Sequence, residues 1–201
     1  MNLAIFASGR GTNFSAIAEA LKKRKIKARI ALLLCDNPQG LVIKRAEKLG
    51  IKVALVRREA FARKKDFESG IIKHLVAQKV DLIVLAGFMR LLSPFFVRKY
   101  KNKIINIHPA LLPSFKGAEG IQGAFSYGVK VTGVTVHFVD QNMDHGPIIL
   151  QAPVTITEDD TLISLEKKIH RAEHRLYAQA INLFVERRLK VKGRKVKIIT
   201  R

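Results

Sequence analysis

Short apolar runs alternate with longer amphipathic segments through the first half of the chain. The runs are Leu3–Ala7, Ala28–Leu34, Lys52–Leu55, Leu82–Leu85 and Ile104–Ile107, and helix-period patterns fall near residues 14–25, 40–49, 66–79 and 94–100. Strands separated by helices of this length predict βαβ crossovers and a mostly parallel sheet covered on both faces. The second half changes character. Val131–Val139 and Pro147–Ile156 read as long strands joined by a polar loop, hairpin-like antiparallel additions at a sheet edge. One long helix is expected from about Thr161 to Arg188, its core stripe formed by Leu165, Ile169, Ala172, Leu176 and Ile181. A short, β-rich, basic tail over 189–201 ends the chain. No repeat, low-complexity stretch or linker interrupts this order. The expected fold class is therefore α/β, a single Rossmann-like domain over 1–201 with helices flanking a mostly parallel sheet and antiparallel additions in its C-terminal half.

The chemistry concentrates at the end of the fifth run. In Lys103-Ile-Ile-Asn-Ile-His-Pro109, alternation puts Asn106 and His108 on one face, one pleat apart, and Pro109 ends the ladder because it has no backbone donor. An amide and an imidazole side by side at a strand's carboxyl end can supply two donors to one developing oxyanion, although the same pair would also serve to cap a strand end. Asp144, in the loop between the two long strands, can return to that sheet end, where a carboxylate orients an imidazole and favours its protonated form. Along Thr132–Asp140, Val134, Val136 and Phe138 share one face and Thr135 and His137 the other. His137 and His145 are each assigned a packing or surface role.

Two further segments sit where ligands bind in such sheets. Ser8-Gly-Arg-Gly-Thr-Asn13 joins the first strand to the first helix, so its glycines admit a close backbone approach and the helix N-terminus offers unpaired N–H groups to an anion such as a phosphate. It lacks the Walker A spacing. It keeps two glycines of a dinucleotide fingerprint, with Phe14 in the third position and Asp36 roughly where a ribose-binding acid would sit. Ala86-Gly-Phe-Met-Arg-Leu-Leu-Ser-Pro94 follows the fourth strand and can either line a pocket or enter the core. The Pro- and Gly-bearing stretch Ala110–Gly120 reads as a long mobile loop over the site, a candidate lid.

Composition narrows the classes. At 201 residues and 48% hydrophobic content the chain has material for a full core. One cysteine, Cys35, excludes a disulfide framework and any multi-cysteine zinc site and fits a reducing cytoplasm. The apolar stretch Met1–Ala7 is too short for a signal peptide or a membrane span, so a cytoplasmic protein without membrane contact is expected. Lys and Arg number 37 against 16 Asp and Glu, a formal net charge of +21. That excess raises a nucleic-acid-binding reading. The basic runs are scattered and carry little aromatic interleaving, however, which favours a solvated surface and no specific nucleic acid. The histidines fall in no ligand spacing, so no metal is expected.

Taken together, Ser8–Asn13, Gly87–Leu92, Asn106–Pro113, Gly133–Val139 and Asp144–Ile148 resemble the glycinamide ribonucleotide (phosphoribosylglycinamide) formyltransferases, over essentially the whole chain. The resemblance implies formyl transfer from 10-formyltetrahydrofolate, as cosubstrate, to the amine of glycinamide ribonucleotide in purine biosynthesis. It implies Asn106, His108 and Asp144 as catalytic residues. Gly11, Thr12, Asn13, His170 and Glu173 correspond to ribonucleotide binders. Arg63 or Lys64, Met89, Arg90, Leu91, Leu92, Asn106, Asp140 and Asp144 correspond to the folate pocket. On this basis residues 1–100 form a phosphate-binding half and 101–188 a catalytic and folate-binding half. In Lys116–Ala124 the chain departs from the family pattern, which more often shows a histidine near 119–121 and an adjacent Gln-Ala pair; here Gly123 separates Gln122 from Ala124. Formyltetrahydrofolate hydrolase is the alternative within the wider group. An NAD-dependent oxidoreductase and a basic nucleic-acid module stand further off, and monomer and homodimer are both open.

Overall fold

The computed structural model describes residues 1–200. They form two compact units, one from Met1 to Ile105 and one from Asn106 onward, and the boundary between them falls inside one strand.

In the first unit, β1 (Asn2–Phe6), β2 (Arg29–Cys35), β3 (Val53–Leu55) and β4 (Leu82–Leu85) run parallel in the order β3-β2-β1-β4. The start of β5 (Ile104–His108) follows beside β4. The helices are α1 (Thr12–Lys22), α2 (Leu41–Lys48), α3 (Lys64–Ala77) and α4 (Pro94–Lys99), with a short 3-10 turn at Arg58–Ala60. Leu3, Ala4, Ile5 and Phe6 are all fully buried, as a central strand covered on both faces requires. The chain winds outward from β1 to β3 and then returns to the other side of β1 as β4. That reversal makes a topological switch point between the carboxyl ends of β1 and β4, where open α/β sheets bind ligands. The first helix starts at Thr12, two residues before its hydrophobic period does, because Gly11 takes the left-handed conformation (φ 73°) and turns the chain directly into it.

In the second unit, the end of β5 is followed in the sheet by β6 (Val131–Phe138), β7 (Ile148–Thr155), β9 (Lys195–Ile198) and β8 (Leu189–Lys192). β6 and β7 pair antiparallel as expected, with a register shift between Val136 and His137. They do not form the sheet edge. The basic tail folds into a β8–β9 hairpin whose second strand pairs with β7 at Ile148 and Lys195. The long helix, α6 (Leu162–Val185), starts at a Thr161–Ser164 capping box and stops short of Arg188, where Arg187 turns left-handed at φ 57°. It packs on β6 and β7 through Leu165, Ile169, Leu176 and Ile181, while Ala172 is only half-buried. Directly after the stretch read as a long loop, residues 120–127 form α5 (Gly120–Tyr127), an element the hydrophobic pattern did not predict. No helix among the described residues is long and apolar enough to cross a membrane.

Candidate active site

At the switch point of the first unit, a polar network ties two loops together. Ser8 Oγ donates to Asp36 Oδ1 at 2.6 Å, the Met89 N–H donates to Ser8 Oγ at 3.1 Å, and the Ser8 N–H reaches the Gly87 carbonyl at 3.0 Å. Arg90 Nε donates to Asp36 Oδ2, and its Nη2 lies 3.1 Å from Glu59 Oε1. The 5%-exposed Asp36 is thus committed to Ser8 and Arg90, which removes it as a ribose-binding acid of the dinucleotide kind. At the loop's far end the buried Glu68 accepts the Ser93 N–H at 2.6 Å and the Ser93 hydroxyl, while Ser93 Oγ caps α4. Both ends of Ala86–Ser93 are therefore anchored, yet Met89 is 78% and Leu91 65% exposed. These two are not core residues. Phe88 turns back, against Phe6 at a ring distance of 5.3 Å.

Of the ribonucleotide and folate candidates in this unit, Gly11 caps α1, Thr12 and Asn13 open its first turn, and Lys64 starts α3 with its side chain exposed. Gly11 cannot be anything larger without movement, because a Cβ there would lie 2.5 Å from Val42 Cγ2. The contact with Val42 and the positive φ are therefore what require glycine at this position.

The second unit contains the expected trio. His108, 3% exposed, points Nδ1 at Asp144 Oδ2 (3.4 Å) and Nε2 at the Phe115 carbonyl oxygen (2.7 Å). Both neighbours are acceptors, so a ring carrying both protons can donate on both sides. Asn106 Nδ2 lies 3.4 Å from Asp144 Oδ1 and 3.3 Å from His137 Nε2. Asp144 has a left-handed backbone (φ 47°), and its Oδ2 also accepts the Gly117 N–H at 2.9 Å. Burial pushes the Asp144 carboxyl up. His137, the Gly117 N–H, and the charge on His108 and His137 outweigh that and hold it below the ordinary carboxylate range.

His137, assigned a packing or surface role from the sequence, is packed against this trio. It is 2% exposed, its Nδ1 lies 2.8 Å from the Phe138 carbonyl, and its Nε2 lies 3.7 Å from Asp144 Oδ1. Nε2 also lies beside Asn106 Nδ2, so the His137 ring adjoins both that amide and the Asp144 carboxylate. The available signal was strand alternation, which places His137 and Thr135 on one face. Thr135 Oγ1 accepts the Leu112 N–H at 3.1 Å and donates to the Ala110 carbonyl at 2.7 Å, fastening the chain after Pro109. The remaining candidates occupy two further places in this unit. His170 Nδ1 and Glu173 Oε2 pair at 2.9 Å on α6, and Asp140 Oδ2 pairs with His145 Nδ1 at 2.7 Å. Among the described residues no group of three or more His, Cys, Asp or Glu side chains could hold a metal ion.

An amide, an imidazole and a carboxylate gathered at one strand end are groups that can donate to, and move protons around, a reacting carbonyl. Residues 1–181 match the formyl transferase family, and the chain belongs to it. It is 48% identical over 178 residues to the phosphoribosylglycinamide formyltransferase of Bacillus subtilis (strain 168), covering 89% of this chain and 91% of that one. The structure superposes on the glycinamide ribonucleotide transformylase 1 of Symbiobacterium toebii with a TM-score of 0.97 and 40% identity, covering 100% and 94% of the two chains. A formyltetrahydrofolate deformylase from Pseudomonas syringae shares the fold at TM-score 0.92 and 25% identity, covering 99% of this chain and 66% of that one.

Proposed function

We propose that the protein transfers the formyl group of 10-formyltetrahydrofolate to the amine of glycinamide ribonucleotide, giving formylglycinamide ribonucleotide and tetrahydrofolate, a step of purine biosynthesis in the cytoplasm. The observation that carries this reading is the Asn106–His108–Asp144 cluster, in a chain nearly half identical to a phosphoribosylglycinamide formyltransferase. The neutral amine attacks the formyl carbon, and the carbonyl oxygen takes up the negative charge. Asn106 Nδ2 and a protonated His108 donate to that oxyanion. Asp144 orients His108 and, through a water, moves the proton from the attacking nitrogen to the folate nitrogen as the C–N bond breaks.

The anion turn at Gly11–Asn13 receives the ribonucleotide phosphate, and the His170–Glu173 pair receives ribose hydroxyls. Lys64, the Met89–Leu92 loop and Asp140 take the folate. The exposure of Met89 and Leu91 on an anchored loop supports the last assignment, since apolar side chains held in solvent are available to a planar ligand. The test is to supply the purified protein with both substrates and follow tetrahydrofolate release. Release that requires the ribonucleotide amine supports the transferase. Release at the same rate without it selects the hydrolase reading, which the similarity to the deformylase motivates.

A further inference from the structure

We infer that Arg194, at the tip of the C-terminal hairpin, is a positioning residue that holds the turn bearing Asp144. The inference rests on the transfer reading above for its assay and on the geometry below for its content. Arg194 lies beyond the residues that match the family, 1–181.

The turn Asp144-His145-Gly146 is held from two sides. On one side Gly146 packs so tightly that a Cβ would sit 1.8 Å from the Phe138 carbonyl oxygen, so the backbone there has no freedom to shift inward. On the other side stands His145. Its Nδ1 meets Asp140 Oδ2 at 2.7 Å, edge-on. Arg194 Nη1 lies 3.2 Å from His145 Nδ1 and 2.9 Å from Nε2. One nitrogen so close to both ring nitrogens cannot lie in the ring plane, where Cε1 intervenes. The guanidinium therefore covers the face of the imidazole, an arrangement that planar Arg favours. Its Nη2 donates to the His145 carbonyl at 2.8 Å. Arg194 thus grips both the side chain and the backbone of the residue next to Asp144.

Asp144 needs such support. A non-glycine residue at φ 47° carries a conformational cost that persists only where the surroundings over-determine it. Its carboxylate must also stay aligned with His108 Nδ1 and Asn106 Nδ2, at 3.4 Å each. Gly193 at φ 57° makes the tight β8–β9 turn, and the pairing of Lys192 with Lys195 closes the ladder beneath the tip that carries Arg194.

The experiment compares wild type, Arg194→Ala, Arg194→Lys, Asp144→Asn and the double variant Arg194→Ala/Asp144→Asn. Formyl transfer is read as kcat and KM, and Tm is read on every protein. Arg194→Ala should lower kcat about tenfold with KM for the ribonucleotide and Tm little changed, within the hundredfold that a misplacement of about 1 Å can cost. Arg194→Lys should recover part of the loss, because its ammonium can still donate to the His145 carbonyl. In the Asp144→Asn background, Arg194→Ala should cost little more, since two residues acting through one group are not additive. An unchanged kcat in Arg194→Ala overturns the inference. So does a loss that simply multiplies that of Asp144→Asn, or one that tracks a fall in Tm without recovery in Arg194→Lys. If wild type itself transfers no formyl group, the functional reading fails, and the inference is then decided by NMR of the Asp144 carboxylate, which Arg194→Ala should shift and a free-standing turn would not.

Discussion

The Phe115 carbonyl oxygen lies 2.7 Å from His108 Nε2, and Gly120 lies against both: a Cβ there would meet each of the two atoms at 3.3 Å. The carbonyl marks the direction in which His108 can donate, and under the proposed transfer the formyl oxygen takes over that donor. Residues 110–119 therefore have to give way as substrate enters. Gly120→Ala crowds the ring and the loop together. Its expected result is a kcat roughly tenfold lower, in line with a small displacement of a reacting group, with far-ultraviolet circular dichroism unchanged. Steady-state kinetics at wild-type rate would show that the ring tolerates the neighbour and that the contact has no bearing on turnover.

Asp144→Asn keeps the size of the side chain and leaves an oxygen to accept the Gly117 N–H. It removes the charge and the proton carrier, so kcat should fall by about 10² to 10³, the range of general acid–base contributions, with little change in KM for the ribonucleotide. Because the carboxyl titrates below its ordinary range, it is already ionised throughout neutral pH. The variant should therefore lower the whole neutral plateau of the pH–rate profile. A variant that matched wild type on the plateau and lost activity only in acid would contradict this role.

Much of the fold was legible because its signals are local. The four parallel strands of the first unit, the first glycine turn and the long helix follow from period and punctuation, and Asn106, His108 and Asp144 stand beside prolines and glycines that mark strand ends. What was missed depends on distant partners. The helix α5 begins at Gly120 and contains Gly123, residues that weaken any helix pattern, and it is held by packing against α6. His137 has one face of a strand to recommend it, and its contact with Asn106, 31 positions away, leaves no local trace. The Ser8–Asp36–Arg90 network links residues 28 and 54 positions apart, a separation at which no periodicity operates.

Gly11 and Gly9 should separate packing from binding. Gly11→Ala places a methyl group into Val42 and forces alanine to φ 73°, so a loss of about 2–4 kcal/mol is expected from strain and overpacking together. Adding Val42→Ala should return part of it in a denaturant titration. Gly9 has open space where its Cβ would be. Gly9→Ala should therefore keep wild-type stability while raising KM for the ribonucleotide, and a stable variant with unchanged KM would place the phosphate elsewhere.

The net charge of +21 faces two anionic substrates under the proposed reaction. A positive field speeds their encounter, and salt screens it as the Debye length shrinks from roughly 10 Å at 0.1 M to 3 Å at 1 M. Raising ionic strength over that span should lower kcat/KM severalfold while leaving kcat nearly constant. A kcat/KM that does not respond to salt would leave the charge without a part in substrate capture.

Asp160 bears on stability rather than catalysis. It sits just before the Thr161 cap of α6 and accepts from Lys168, from Ser164 Oγ at 2.7 Å, and from the Thr157 N–H and hydroxyl at 2.8 and 2.9 Å. The Lys168 bond, then Ser164 and then the Thr157 N–H hold its carboxyl far below the usual range. A group whose pKa is depressed by folding stabilises the native state above its unfolded value, about 3.9 for Asp, and that contribution is lost as pH falls through the folded value. Tm should thus fall with acidification below about pH 4, more steeply in wild type than in Asp160→Asn. At pH 7 Asp160→Asn should melt several degrees below wild type, because the amide cannot satisfy Lys168, and the two curves should converge as acid protonates the wild-type carboxyl. Parallel Tm curves from pH 7 to pH 2 would show that this cluster does not bind protons differently in the folded and unfolded states.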